Sequence, residues 1–162
     1  MSLVFIGLGS NLGNGRANLL EAWQRLGQHA NITTLSMSSP YRSEPVGISS
    51  EHWFTNAVGV LETSLAPDDL LEVLLATEQA MGRDRAAGHD RTLDLDLLYY
   101  DDQIINHADL EVPHPRLSNR LFVLAPLTEI APDHIHPVLG LSSRRMLREL
   151  TDSEQVEKLN WT

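Results

Sequence analysis

Residues 91–98 read Arg-Thr-Leu-Asp-Leu-Asp-Leu-Leu, and alternate side chains of a β-strand share a face. Asp94 and Asp96 therefore point the same way, while Leu93, Leu95 and Leu97 fill the opposite, core-facing side. On extended backbone their alpha carbons lie roughly 6 to 7 Å apart, which lets two carboxylates share one or two hard divalent cations. A bare Asp-x-Asp is more often the polar outer face of a half-buried strand, and two adjacent carboxylates without a partner repel each other. Here Arg91 sits just upstream, and Arg83, Arg85, Arg116 and Arg120 also fall after residue 80. Guanidinium groups suit bidentate contact with phosphate, so a metal–phosphate site is the economical explanation. Magnesium is favoured over zinc: carboxylates are available, Cys is absent and no two His stand at a metal-binding spacing.

Other residues are ambiguous on spacing alone. His114 lies between Pro113 and Pro115, which fix the backbone and present its ring in a defined direction, although a lone turn histidine usually has no duty. Arg116 and Arg120 are spaced i, i+4 and would share one helical face, with Phe122 just beyond. Glu78, four residues after Leu74, approaches the core-facing edge of its helix; the spacing slightly favours an exposed helix-edge acid. Phe54 and Phe122 either fill the core or, lining a pocket, stack on a planar ring. The Gly7-Leu8-Gly9-Ser10-Asn11-Leu12-Gly13 segment lacks both dinucleotide-fold spacing and a Gly-Lys-Ser/Thr ending, so any nucleotide would have to bind elsewhere.

The elements that must position these residues follow from periodicity. An apolar run at 3–9 reads as a buried strand, and Leu19, Leu20, Trp23 and Leu26 recur at helical spacing over 16–28. Residues 31–42 look extended, 54–63 alternate as a strand, and 92–100 form another. Pro67, Asp68 and Asp69 open a second helix running through Ala80, with Gly82 at its C-terminal cap and Leu70, Leu71, Leu74 and Leu75 facing the core. Asp101 and Asp102 turn into the apolar pair Ile104-Ile105, and further helices are expected around 117–128 and 142–150. Strand, helix, two strands, helix, strand is the order of a ferredoxin-like α+β sandwich, mostly antiparallel, with helices packed on the sheet.

Composition bounds the rest. A chain of 162 residues, 42% hydrophobic, supports one core and one domain, 1–162. With 22 acidic against 12 basic residues the net charge of -10 opposes nucleic-acid binding, so a phosphorylated ligand must meet a local basic cluster. The run at 3–8 is too short for a signal-peptide core, no window approaches a membrane span, and there is no Cys; a soluble cytoplasmic protein is expected.

Taken in order, GLGSNLGN from residue 7, SSPYRSEPVG at 38–47, FTNAV at 54–58, MGRDR at 81–85, RTLDLDLL at 91–98, VPHPR at 112–116 and RLFVLAPLTEIAP at 120–132 resemble the 6-hydroxymethyl-7,8-dihydropterin pyrophosphokinase family nearly end to end. The resemblance implies the same ferredoxin-like fold. It further implies that Asp94 and Asp96 hold two magnesium ions bridging the ATP phosphates, which Arg83, Arg91, His114 and Arg120 contact, with Glu78 and Leu97 also at the ATP site. The pterin would stack between Phe54 and Phe122, with Asn56 reading its polar edge, the backbone of Ser43, Glu44 and Val46 supplying further hydrogen bonds, and Asp94 also among the pterin-binding residues. The pterin hydroxyl would attack the β-phosphorus of ATP, AMP would leave, and Asp96 is a candidate base. Arg83, Arg91, Asp94 and Asp96 are thus the expected catalytic set. This chain departs from many members at Ala86-Ala87-Gly88-His89-Asp90, a shorter loop without the Gly-Pro pair before Arg91. A mobile lid over 83–91 with a smaller excursion is expected. Two alternatives are weaker. A non-catalytic pterin- or nucleotide-binding paralogue is opposed by the retained Asp94, Asp96, Arg83 and Arg91, and a metal-dependent nucleotidyl- or glycosyltransferase leaves FTNAV and VPHPR unexplained.

Overall fold

The computed structural model describes residues 1–45, 52–82, 90–151 and 154–162. In chain order it contains β1 (Ser2–Ser10), α1 (Gly15–Gly27), β2 (Ile32–Met37), β3 (Tyr41–Ser43), β4 (Phe54–Thr63), α2 (Pro67–Ala80) and β5 (Asp94–Tyr100). The hairpin β6 (Ile105–His107) and β7 (Leu110–Val112), a 3-10 turn at Leu117–Asn119, α3 (Leu121–Ile130), α4 (Ser143–Glu149) and β8 (Val156–Lys158) follow. The main sheet runs β5-β1-β4-β3-β8, with β2 also on β4, and every pairing is antiparallel. With β1 between β4 and β5, and helices linking β1 to β2 and β4 to β5, this is the split β-α-β order read from the sequence.

Period-2 alternation gives the sheet two apolar faces. Val4, Ile6, Leu8, Ala57, Leu61, Leu93, Leu95 and Leu97 meet Leu19, Ala22 and Leu26 of α1 and Leu70 and Leu74 of α2. On the other face Phe5, Val58, Val60, Leu98 and Tyr99 meet Leu124 and Leu127 of α3 and Met146 of α4. Leu98 and Tyr99 share that face because the β1–β5 register slips: Ile6 pairs with Leu97 and Phe5 with Tyr99, leaving Leu98 as the extra residue of a bulge. Trp23 of α1 lies across Gly59, where any β-carbon would collide with the indole ring.

Local signals explain most boundaries. Asn14 caps α1, its side chain accepting from the Ala17 N–H at 3.1 Å. Pro67 and two acids open α2, and Gly82 follows it with φ +91°, a conformation suited to glycine. Three expectations change. The extended segment 31–42 is two strands, because Pro40 has no N–H for a ladder, and both lie along β4. The helix expected from 117 starts at Leu121 after the 3-10 turn, so Arg116 and Arg120 do not share a helical face. Leu20 and Leu75 are exposed rather than core residues, while Ala22 takes the buried position on α1. The Ile104-Ile105 pair leads into the small β6–β7 hairpin, and Ile104 is exposed. Among the described residues no helix is long and apolar enough to cross a membrane.

Candidate functional site

On the face bearing Phe5, β1 continues with Gly7 and Gly9 instead of large side chains, and the sheet floor opens there. Gly9 pairs with Asn56 of β4 on one side and Asp94 of β5 on the other, while Gly7 pairs with Val58 and Asp96. Directly paired residues project from the same face, so Asn56, Asp94 and Asp96 surround a strip of bare backbone. A β-carbon at residue 9 would stand 3.1 Å from Asn56 Oδ1 and narrow that strip. The cavity above has a volume of about 310 Å³ and is lined by Ser43, Glu44, Phe54, Asn56, Arg91, Asp94, Asp96, His114, Arg116, Arg120, Phe122 and Val123, besides the floor.

One wall is a buried polar pair beside two rings. Asn56 Nδ2 donates to Ser43 Oγ at 2.7 Å, which fixes the carboxamide and leaves Oδ1 toward Gly9 as an acceptor. Phe54 and Phe122 are only half-buried and line the cavity, so neither is a core residue. Flat apolar surface next to an oriented amide suits a planar heterocycle with a polar edge.

The rest of the lining is charged. Arg91 Nη1 lies 3.5 Å from Asp94 Oδ2, and its guanidinium stands 5.5 Å from the Phe54 ring centre. Its backbone is clamped by Asn11, which donates its own N–H to the Arg91 carbonyl at 3.0 Å and accepts from the Arg91 N–H through Oδ1 at 2.7 Å. Asn11 Nδ2 also donates to Asp90 at 2.8 Å. The His114 N–H donates to the Leu98 carbonyl at 3.0 Å, and Nδ1 accepts from the Arg116 N–H at 3.2 Å, leaving Nε2 toward Asp96 Oδ1 at 4.0 Å. Burial lowers the pKa of His114, opposed by the Asp94 carboxylate and assisted by Arg116. The neutral ring with its proton on Nε2 is therefore the form this geometry favours.

The structure thus gathers Ser43, Glu44, Phe54, Asn56, Arg91, Asp94, Asp96, His114, Arg120 and Phe122 around one cavity. Glu78 and Leu97 are elsewhere. Glu78 is 2% exposed, against the helix-edge expectation, because the last turn of α2 lies beside β5 and Oε2 accepts from the Leu95 N–H at 2.7 Å. Leu97 belongs to the core under α1 and α2. Arg83, Val46 and nearly all of the expected lid over 83–91 lie outside the described residues. Spacing alone does not reveal Asn11, and in the same segment Gly7 and Gly9 serve as open floor and not as a phosphate loop. Among the described residues no three His, Asp or Glu side chains converge on a metal position. Asp94 and Asp96, hard oxygen donors on one face beside side-chain-free backbone, fit magnesium, which is commonly held by one or two carboxylates plus substrate phosphates.

Comparison with known proteins follows the same outline. Residues 5–132 match the family described as 7,8-dihydro-6-hydroxymethylpterin-pyrophosphokinase. The chain is 38% identical over 160 residues to the 2-amino-4-hydroxy-6-hydroxymethyldihydropteridine pyrophosphokinase of Methylorubrum extorquens, covering 97% of this chain and 100% of that one. It is 35% identical over 159 residues to the folic acid synthesis protein FOL1 of Dictyostelium discoideum, covering 98% of this chain but only 24% of that longer protein. In fold it resembles the crystal structure of Plasmodium falciparum HPPK-DHPS wild type with SDX-DHP, with a TM-score of 0.74 at 14% identity, over 91% of this chain and 44% of that one.

Proposed function

The chain belongs to the 7,8-dihydro-6-hydroxymethylpterin-pyrophosphokinase family, and on that premise we propose that it transfers pyrophosphate from ATP to the hydroxymethyl group of 6-hydroxymethyl-7,8-dihydropterin, releasing AMP, in tetrahydrofolate biosynthesis. The observation that carries the reading is the strand register: Asn56, Gly9 and Asp94 in one row and Val58, Gly7 and Asp96 in the next bring an oriented amide and two carboxylates to one open floor. The 162-residue chain acts as one pyrophosphokinase domain on this reading. We place it in the cytoplasm, where a chain without Cys is indifferent to reducing conditions.

The residues divide the work. Phe54 and Phe122 hold the pterin ring by stacking, while Asn56 and the Ser43–Glu44 edge read its polar groups and orient the hydroxymethyl arm toward Asp94 and Asp96. Arg91 and Arg120 neutralise phosphate oxygens, and the neutral His114 donates through Nε2. The resemblance adds Arg83, which lies outside the described residues, to this phosphate-binding set. Magnesium held by Asp94 and Asp96 would supply further neutralisation of the ATP phosphates. The hydroxymethyl oxygen bonds to the β-phosphorus as the bond from that phosphorus to the bridging oxygen of AMP breaks. AMP carries away the electron pair, and Asp96 is the candidate for the hydroxyl proton. Positioning and charge neutralisation supply most of the acceleration.

Incubation with ATP, magnesium and the pterin should give AMP and pterin diphosphate in equal amounts, with little AMP when the pterin is omitted. Tight binding of both ligands without product would instead identify a non-catalytic paralogue.

A further inference from the structure

The described arginines sort by what their guanidinium groups meet. Arg25, Arg144 and Arg145 reach Glu21, Asp133 and Glu149 on the surface, Arg91 reaches Asp94, Arg42 lies over Trp53, Arg16 donates to the Asn160 carbonyl, and Arg148 is exposed on α4, away from the cavity. Arg116 and Arg120 both line the cavity, and among the described residues neither has a carboxylate oxygen within 4.0 Å. In a chain with 22 acidic residues against 12 basic ones, two cations left without carboxylates at the same cavity imply an anion supplied from outside.

Arg116 is also held in place. Its N–H donates to His114 Nδ1 at 3.2 Å, and its carbonyl accepts from the Asn119 N–H at 3.2 Å. The backbone is fixed on both sides while the side chain stays exposed. Both arginines line the same cavity as His114, and their positive charges oppose protonation of its ring. The same backbone contact that sets the His114 tautomer therefore sets where the Arg116 side chain starts.

We infer that Arg116 is an additional binding residue for the polyphosphate chain of ATP, acting beside Arg120 and His114. This rests on the pyrophosphokinase reading but goes beyond the residues which that reading assigns. An ammonium is a point charge without the planar fork, so lysine at 116 should restore only part of the contact.

The test is calorimetric titration of wild type, Arg116→Gln, Arg116→Lys and Arg120→Gln with a non-hydrolysable ATP analogue plus magnesium, and with AMP. Arg116→Gln should weaken the triphosphate analogue about ten-fold or more, the scale of a charged hydrogen bond, while AMP affinity changes less than about two-fold. Arg116→Lys should lie between. The inference is overturned if Arg116→Gln leaves analogue affinity unchanged while Arg120→Gln lowers it, a result that keeps the site reading intact. Equal losses for the analogue and AMP would also overturn it, by reducing Arg116 to a structural role. Wild type failing to bind the analogue would overturn both readings together. Should Arg116→Gln unfold, the wild-type and Arg116→Lys titrations decide the matter.

Discussion

Along one face of the sheet, Phe5, Val60 and Tyr99 lie under α3 and α4 at one end, whereas Gly7, Gly9, Asn56, Asp94 and Asp96 form open floor at the other. The strands are the same; side-chain size and helix cover differ. At the covered end packing dominates, even at the expense of a polar atom: Tyr99 Oη is buried with no hydrogen-bond partner among the described residues, and burial pushes its pKa up. At the open end polar groups are arranged in contacts, Asn56 with Ser43, Arg91 with Asp94 and His114 with Arg116. Stability and chemistry therefore reside at opposite ends of shared strands, and substitutions at the two ends should have separable effects.

The largest separation is expected for Asp94→Ala and Asp96→Ala. Neither carboxylate is in a core, so the thermal midpoint should hold, while turnover falls by a factor of about a thousand or more, roughly 4 kcal/mol of transition-state stabilisation. Near wild-type AMP release at saturating magnesium would remove the aspartates from the mechanism. The converse experiment is Leu127→Ala, which empties a fully buried position under α3. A loss of about 2 to 5 kcal/mol of stability is expected, with turnover of the folded protein little changed. Denaturant titration and initial rates at low temperature check the two halves; stability retained with activity lost would reverse the comparison.

Smaller is the effect of Phe122→Ala, which should weaken pterin binding by roughly 1 to 3 kcal/mol through lost stacking and affect ATP binding less. Equal losses for both ligands, read by calorimetry, would mean that the ring is packing and not a platform. The smallest effect is on pH dependence. At the covered end His134 packs against Phe5 and Tyr99, with ring centres 4.8 and 4.5 Å away, and burial lowers the pKa of both His134 and His136. The unfolded chain then binds more protons near their ordinary pKa of about 6.5. Stability is full above that value and declines as pH falls through it toward the lowered folded values. The thermal midpoint should drop between pH 7 and 5, and His134→Gln should make that drop shallower; an unchanged slope would exclude His134 as a cause.

The parts legible in the sequence were those governed by local periodicity. Period-2 alternation alone put Asp94 and Asp96 on one face, flanking prolines singled out His114, and the resemblance in FTNAV added Asn56 beside Phe54. Long-range geometry was not legible. Asn11 and Arg91 are 80 residues apart in sequence, and nothing in either segment announces that a carboxamide and a backbone N–H will meet. The spacing of Glu78 indicated which side of α2 it occupies, but not that the Leu95 N–H would be there to receive it. The bulge at Leu98 depends on the partner strand, and so does the placement of both β2 and β3 along β4, although Pro40 itself marks the break between them.

The central claim is that the glycine-floored end of the sheet is where pterin and ATP meet, and a crystal structure with the pterin, magnesium and a non-hydrolysable ATP analogue tests it most directly. The account predicts the pterin ring between Phe54 and Phe122, its polar edge on Asn56, and the phosphates among Asp94, Asp96, Arg91, His114 and Arg120. Density for either ligand away from this cavity, or a pterin whose hydroxymethyl group points away from Asp94 and Asp96, would contradict it.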